Sequence, residues 1–273
     1  MLEQIKYINH LNEVIEFGKN GLFVNENDFH NFTWKITSKN DRISSFTKGI
    51  TKYPLPVVIK CGTEEEGVAL KNRLFEVCEK DVLANKYGRF VIGEYYLKCF
   101  ITASKVSDYS KGKSYEKQKL TVQTDQPYWI KEIQFAFSPD SATQGSNLDF
   151  NNDFPYDYAS NILDALLNNN NFVASNFRMN IYGIASDPTV TIAGHDYTVN
   201  ATIGSNEYLT IDSIEKTIVL TKKNGEKVNC FNLRDKDSYI FEKIPSGTST
   251  VAMNGDFRID ITLLEERGVP KWT

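Results

Sequence analysis

The sequence predicts a mainly β protein of two β-rich domains, the first of which carries a packed helix. Three observations carry this expectation. Short alternating apolar and polar runs, separated by Asn, Asp, Ser and Gly clusters, fill most of the chain. One segment has helical periodicity with its own capping signals. A strand near the middle, Leu120 to Trp129, runs into an Asp-x-Pro-aromatic-aromatic stop. The length of 273 residues lies where single cores stop growing and chains divide, roughly 250–300 residues, so two domains are expected.

The elements follow in order. Gly21 to Val24, Phe32 to Ile36 and Leu55 to Ile59 read as strands. Thr63 with Glu66 three places on is a capping-box pattern, and Glu64, Glu65 and Glu66 complement the positive end of a helix. Leu70, Leu74, Val77 and Cys78 then form one apolar stripe, and Asn85 to Gly88 supplies a stop, which predicts a helix from about Glu64 to Leu83. Strands resume at Arg89 to Ile92 and Tyr95 to Ile101. In the second half, Ser138 to Asn152 and the run Asn168 to Asn171 read as loops. Ile162, Leu163, Leu166 and Leu167 between them predict a short helix around Tyr158 to Leu167. From Phe177 onward the pattern is β again, and Asn224-Gly225 predicts a type I′ hairpin between Thr217–Thr221 and Lys227–Phe231.

The segment Ser104 to Lys119 carries Lys105, Lys111, Lys113, Lys117 and Lys119, and reads as an exposed loop or long hairpin. A solvated connection explains such a charge run, and so does an arm that grips a neighbouring subunit. At the mid-chain stop, Pro127 cannot donate to a sheet ladder and biases its predecessor toward extended geometry, so a strand reaching Asp125 ends there. Asp125, Pro127, Tyr128 and Trp129 are therefore read as the seam between the halves. The two aromatics suit packing at that seam better than a ligand platform.

Charge, cysteines and motifs exclude several classes. Residues 1–129 hold 19 Lys and Arg against 16 Asp and Glu, and residues 130–273 hold 12 against 19, giving +3 and −7. Neither half has the strongly basic balance of a dedicated nucleic-acid binder. No stretch approaches the roughly 18 apolar residues of a membrane span, and the first residues lack the apolar block of a secretory signal. Cys61, Cys78, Cys99 and Cys230 are too scattered for a zinc site, His10, His30 and His195 form no ligand pair, and buried reduced thiols are expected. No metal or cofactor is expected. There is no nucleophile elbow, phosphate-cradling glycine loop or kinase signature, and carboxylate pairs such as Asp149 with Asp153 or Asp256 with Asp260 are explained by solubility. An enzyme is not expected. Surface tyrosines on a β-sandwich, among Tyr156, Tyr158, Tyr197, Tyr208 and Tyr239, leave glycan binding as an alternative.

Several segments in order resemble the distal tail protein family of long-tailed, mainly siphophage, bacteriophages, also called the siphovirus tail component family. They include Ile15 to Gly18, Phe32 to Trp34, Phe75 to Val82, Tyr95 to Ile101 with the lysine-rich segment, and Asp125 to Trp129. In the second half they include Phe154 to Tyr158, Ile181 to Gly183 with Asp187-Pro188, Ile244 to Gly247 and Glu266 to Trp272. The resemblance implies a ring-forming first domain, residues 1–129, completed by the last residues, about 258–273. It implies a galectin-like β-sandwich for residues 130–273. It further implies a hexameric ring that joins the tail tube protein to a tail-associated hub and to receptor-binding proteins, with a central channel through which DNA passes without tight binding. The place implied is the distal end of a virion tail, assembled in the host cytoplasm. The alternative is a tail-tip carbohydrate-binding module. Some larger members of the family carry inserted glycan-binding modules, and this chain is too short for a full insertion of that kind.

Overall fold

The computed structural model describes residues 4–108, 115–139 and 165–272, in two compact units: Met1–Lys131 with Glu266–Thr273, and Glu132–Glu265. Both are β structures, and the described residues contain one α-helix.

In the first unit, β1 (Ile5–Ile8) and β2 (Val14–Phe17) pair as a hairpin. Then come β3 (Leu22–Val24), β4 (Lys35–Lys39), β5 (Arg42–Thr47), β6 (Thr51–Lys60) and helix α1 (Glu64–Ala84). They are followed by β7 (Gly88–Ile92), β8 (Tyr95–Asp108), β9 (Tyr115–Thr124) and the start of β10 (Trp129–Phe137). β8 links two antiparallel ladders. Its first residues pair with β7, which pairs with β1, while Phe100 onward pairs with β9, which pairs with β6. Pro54 and Pro56 sit inside β6, yet β3 covers only Val57 to Ile59 of that strand. The prolines thus lie where β6 is a sheet edge on that side and a missing N–H breaks no ladder.

The predicted helix forms with its predicted cap. Thr63 Oγ1 accepts from the Glu66 N–H at 3.2 Å, and the Glu66 carboxylate accepts from the Thr63 N–H at 3.3 Å. Asn85, at φ 49°, ends the helix in the left-handed conformation. Leu74, Val77 and Cys78 are buried, with Leu70 packed against the same core. Phe29 anchors that core, with rings 5.5 Å from Tyr53, 5.0 Å from Phe90 and 5.5 Å from Trp129.

A buried polar cluster ties α1 to β1. The Asp81 carboxylate accepts from the Tyr7 hydroxyl at 2.5 Å, from the His10 backbone N–H at 2.8 Å, and pairs with His10 Nδ1 at 2.5 Å. Burial, reinforced by Asp81, pushes the Tyr7 phenol far above its ordinary range. Gly88 makes room for the cluster, since a Cβ there would lie 2.3 Å from both Asp81 Oδ2 and the Tyr7 hydroxyl.

The second unit contains β11 (Ala165–Asn169), β12 (Asn176–Tyr182), β13 (Ala185–Ser186), β14 (Thr189–Ile192), β15 (His195–Thr198) and β16 (Thr202–Ile203). After them come β17 (Tyr208–Asp212), β18 (Thr217–Thr221), β19 (Lys227–Asn229), β20 (Gly247–Met253) and β21 (Arg258–Arg267). One sheet runs β19-β18-β17-β12-β21 and another β11-β20-β14-β15, with a small β13-β16 pair. Both larger sheets feed one core, in which Phe177 of β12 meets Tyr197 of β15 edge-on at 5.1 Å.

Three local expectations are corrected. Ala165 to Leu167 do not end a helix. They lie in β11, where Leu167 is buried and Leu166 exposed, because pairing with β20 imposes a period of two; residues 158–164 lie outside the described residues. The asparagine run is a loop only from Asn170 onward, since Asn168 and Asn169 belong to β11. Asn169 is in β11, its amide donates to the Ile244 and Pro245 carbonyls at 3.0 Å each, and its Oδ1 accepts from Ser175 Oγ at 3.1 Å. Asn171 is equally buried and donates to Ser175 at 3.2 Å. The β18–β19 turn is not type I′. Only Gly225 has positive φ, at 83°, and its N–H closes on the Lys222 carbonyl at 2.8 Å, a turn with a glycine bulge. In this unit a two-residue turn with both φ positive occurs instead at Ala193-Gly194, at 51° and 78°, between β14 and β15.

Candidate assembly surface

The feature of the first unit that burial does not explain is the ribbon β4–β5. Asn40 and Asp41, at φ 51° and 57°, close it with a two-residue turn between Lys39 and Arg42. Every residue of both strands is exposed, including Ile36, Ile43 and Phe46, and flanking Phe32 and Ile50 are exposed at 64% and 65%. Ile36 pairs directly with Phe46, and Trp34 meets Phe46 edge-on at 6.5 Å. An isolated two-stranded ribbon is marginal in water, and a contiguous apolar patch of this kind marks an interaction surface.

The base of the ribbon is held by Lys48. Its Nζ donates to the Pro127 carbonyl at 3.2 Å and the Gly268 carbonyl at 3.3 Å, and stands over the rings of Trp34 at 4.9 Å and Tyr128 at 5.1 Å. Partial burial lowers the pKa of this ammonium. Nearby, His30 and Trp272 stack at 3.5 Å.

A second surface of the same unit is concave. Between α1 and the β8–β9 ladder runs a groove of about 520 Å³. Leu74, Cys78, Ile101 and Leu120 supply buried apolar groups to it, while Phe75 and Val82 stand on its rim, 60% and 44% exposed. Burial pushes the Cys78 thiol up to about 12, which keeps it a neutral apolar group. At one end Lys71 pairs with Glu116 at 3.1 Å, Gln118 donates to Glu116 at 2.7 Å, and Ser104 donates to Gln118 at 3.2 Å.

The lysines singled out from the sequence divide. Lys105 and Lys119 are direct partners across β8–β9, and Lys117 pairs in register with Val58 of β6. All three are exposed, and Glu116, Gln118 and Leu120 alternate with Lys117 and Lys119 toward the helix side. Lys111 and Lys113 lie outside the described residues. The seam residues divide as well. β9 ends at Thr124, and Asp125 accepts from the Tyr87 hydroxyl at 2.9 and 2.8 Å. Pro127 presents its carbonyl to Lys48, and Tyr128 is half-buried, its phenol pKa raised by burial and by Glu266. Trp129 is fully buried in the core of the first unit. The strand read at Phe32 to Ile36 is displaced: β4 begins at Lys35 and runs to Lys39, and its partner β5 is not read from the sequence. Its available signal was Asn40-Asp41 between two β-type runs.

In the second unit, Lys216, Phe231, Arg234 and Tyr239 line an open pocket of about 410 Å³. Lys216 donates to the Tyr239 hydroxyl at 2.6 Å, and the Arg234 guanidinium lies 4.0 Å from the Phe231 ring centre. Tyr197 is buried and Tyr208 partly exposed; Tyr156 and Tyr158 lie outside the described residues. Asp260 accepts from the Tyr182 hydroxyl at 2.9 Å and from Arg258 at 3.0 Å. Asp149 and Asp153 are outside the described residues. The four cysteines are free thiols, and the described residues hold no cluster of three His, Cys, Asp or Glu able to hold a metal ion. No helix among them is long and apolar enough to cross a membrane.

Against solved structures, the chain matches the SPP1 Dit protein, described as a paradigm of the hub adsorption apparatus in phages that infect Gram-positive bacteria. The TM-score is 0.62 at 9% identity, over 98% of this chain and all of that one. The chain has the Dit fold. It also matches chains from the phage P2 baseplate in its activated conformation, with Ca at TM-score 0.64 and 11% identity, and with Sr at 0.65 and 10%. These matches cover 99% of this chain and 100% of each of those. No family model matches the sequence, and no curated protein does. The likeness of fold thus extends over 98–99% of the chain at 9–11% sequence identity. The exposed ribbon and groove belong to the unit of that fold formed by both chain ends.

Proposed function

We propose that this chain is a structural, non-enzymatic subunit of a phage tail, a distal tail protein that forms a hexameric ring between the tail tube and the baseplate hub. The end-to-end fold likeness to SPP1 Dit supports this reading most directly. An adapter needs extensive contact surface and no catalytic constellation, and the exposed apolar ribbon and groove are surface of that kind. The first unit makes the ring, completed by the residues from Glu266 that return to it. The second, as a galectin-like sandwich, faces other baseplate components, receptor-binding proteins among them. DNA passes through the channel without being held, and Lys105, Lys117 and Lys119 contribute to subunit contacts. The assembled location is the distal end of the virion tail, reached after assembly in the host cytoplasm.

Light scattering and electron microscopy of the purified protein test this: a closed ring of six copies is expected. A strictly monomeric mass at high concentration, with no rings on the grid, refutes it. A second reading, recognition of surface glycans, is favoured by the exposed Tyr239 beside Lys216 and Arg234 in the second unit. Binding to isolated cell walls that Tyr239→Ala abolishes would support that reading.

A further inference from the structure

We infer that the ribbon β4–β5 of one copy seats in the α1/β8–β9 groove of the next copy. The inference rests on the ring reading and supplies its interface.

Three observations converge on a second copy of this chain as the occupant. The first is chemical match: Ile36, Ile43 and Phe46 are exposed on the ribbon, and the groove offers Leu74, Cys78 and Leu120 below a rim of Phe75 and Val82. The second is length. Strands of five and six residues span about 17–20 Å, and α1 from Lys71 to Val82, the part bordering the groove, spans about 18 Å. The third is area. With Phe32, Trp34 and Ile50 the ribbon displays six large apolar side chains of on the order of 100 Å² each, close to the ≈800 Å² that one partner buries in a standard interface once polar neighbours are added.

The contact is heterologous, because the convex element and the concave one are different patches of the same chain. Such contacts repeat head to tail until the rotation closes a ring. Hydrophobic burial also resolves the anomaly of a ribbon with both faces wet, since seating covers one face and stiffens the strand pair.

Crosslinking tests the pairing. In a Cys61→Ser background, Phe46→Cys protein is mixed with Phe75→Cys protein and treated with a short bismaleimide. Covalent dimers are expected in the mixture and not in either protein alone. Phe75→Asp, at an exposed position that leaves the monomer folded by circular dichroism, should shift the mass from ring to monomer, with at least about a 30-fold loss of association per contact. Rings that persist in Phe75→Asp without the mixed crosslink overturn this interface and leave the ring reading standing. Crosslinks within a single variant overturn it too, since they report a symmetric contact. Wild-type protein that never forms a ring refutes the ring reading itself, and this interface with it.

Discussion

Replacing Asp81 with alanine removes the acceptor for three donors, the Tyr7 hydroxyl, the His10 N–H and His10 Nδ1, at 2.5, 2.8 and 2.5 Å. Tyr7 and Asp81 are both 0% exposed, so water does not replace the lost partner at the Tyr7 hydroxyl without opening the unit. A hydrogen bond to a charged group contributes about 1.5–3 kcal/mol, and removing one partner of a buried charged set costs about 3–5 kcal/mol overall because the contributions do not add. We expect a loss of about 3–5 kcal/mol for Asp81→Ala, which in a unit of this size lowers its melting temperature by about 10–15 °C. Asp81→Asn keeps an oxygen for His10 and can donate to the Tyr7 oxygen, so its cost is about 1–2 kcal/mol. The assay is convenient because all three tryptophans, Trp34, Trp129 and Trp272, belong to the first unit, so tryptophan fluorescence, excited selectively over tyrosine during urea unfolding, reports that unit. A midpoint for Asp81→Ala indistinguishable from wild type, or Asp81→Asn as damaging as Asp81→Ala, would show that the cluster does not hold α1 to β1 as described.

Two further expectations concern the seam and pH. Trp129→Ala should cost the first unit about 3–5 kcal/mol, as emptying a buried aromatic site does, and Tyr128→Ala about 1 kcal/mol. Trp129→Phe should be mild, because among the described residues Trp129 Nε1 has no hydrogen-bond partner to lose; equal losses for all three by urea unfolding would count against the core assignment. Glu13 is held below the ordinary carboxylate range by hydrogen bonds from Lys80 at 2.7 and 2.9 Å, and by Asn9. Its folded pKa is depressed, so its stabilisation is fully present above the ordinary value, about 4.3, and is lost as pH falls through the folded value. The melting difference between wild type and Glu13→Gln should therefore persist at neutral pH and close in acid, and a difference that grows in acid would contradict the sign.

Local rules carried much of the fold. The capping box at Thr63 and Glu66, the stripe Leu74, Val77 and Cys78, the alternation of β6 and the proline stop after Thr124 all express forces acting within a few residues, so sequence spacing reveals them. Where the determining partner is distant in sequence, spacing misleads. Leu166 and Leu167 fit a helical period as well as a strand, and only pairing with Thr250 and Ser249 of β20 decides between them. Asn169 reads as a loop residue until the carbonyls of Ile244 and Pro245 satisfy its amide. Tyr128 and Trp129 look alike as neighbours in sequence, yet Phe29 closes over one while Lys48 stands over the other.

The assembly surface follows the same division. The sequence by itself determined a mainly β chain, one capped helix, the break after β9 and the absence of any recognisable catalytic motif, because propensity, capping and proline geometry act locally. Tertiary structure alone decided that Ile36, Ile43 and Phe46 stay in water while equally apolar Leu55, Val57 and Ile59 of β6 are buried. Both strand sets have β-type sequences. Burial depends on whether the fold brings a second layer over them, and among the described residues none lies over β4–β5.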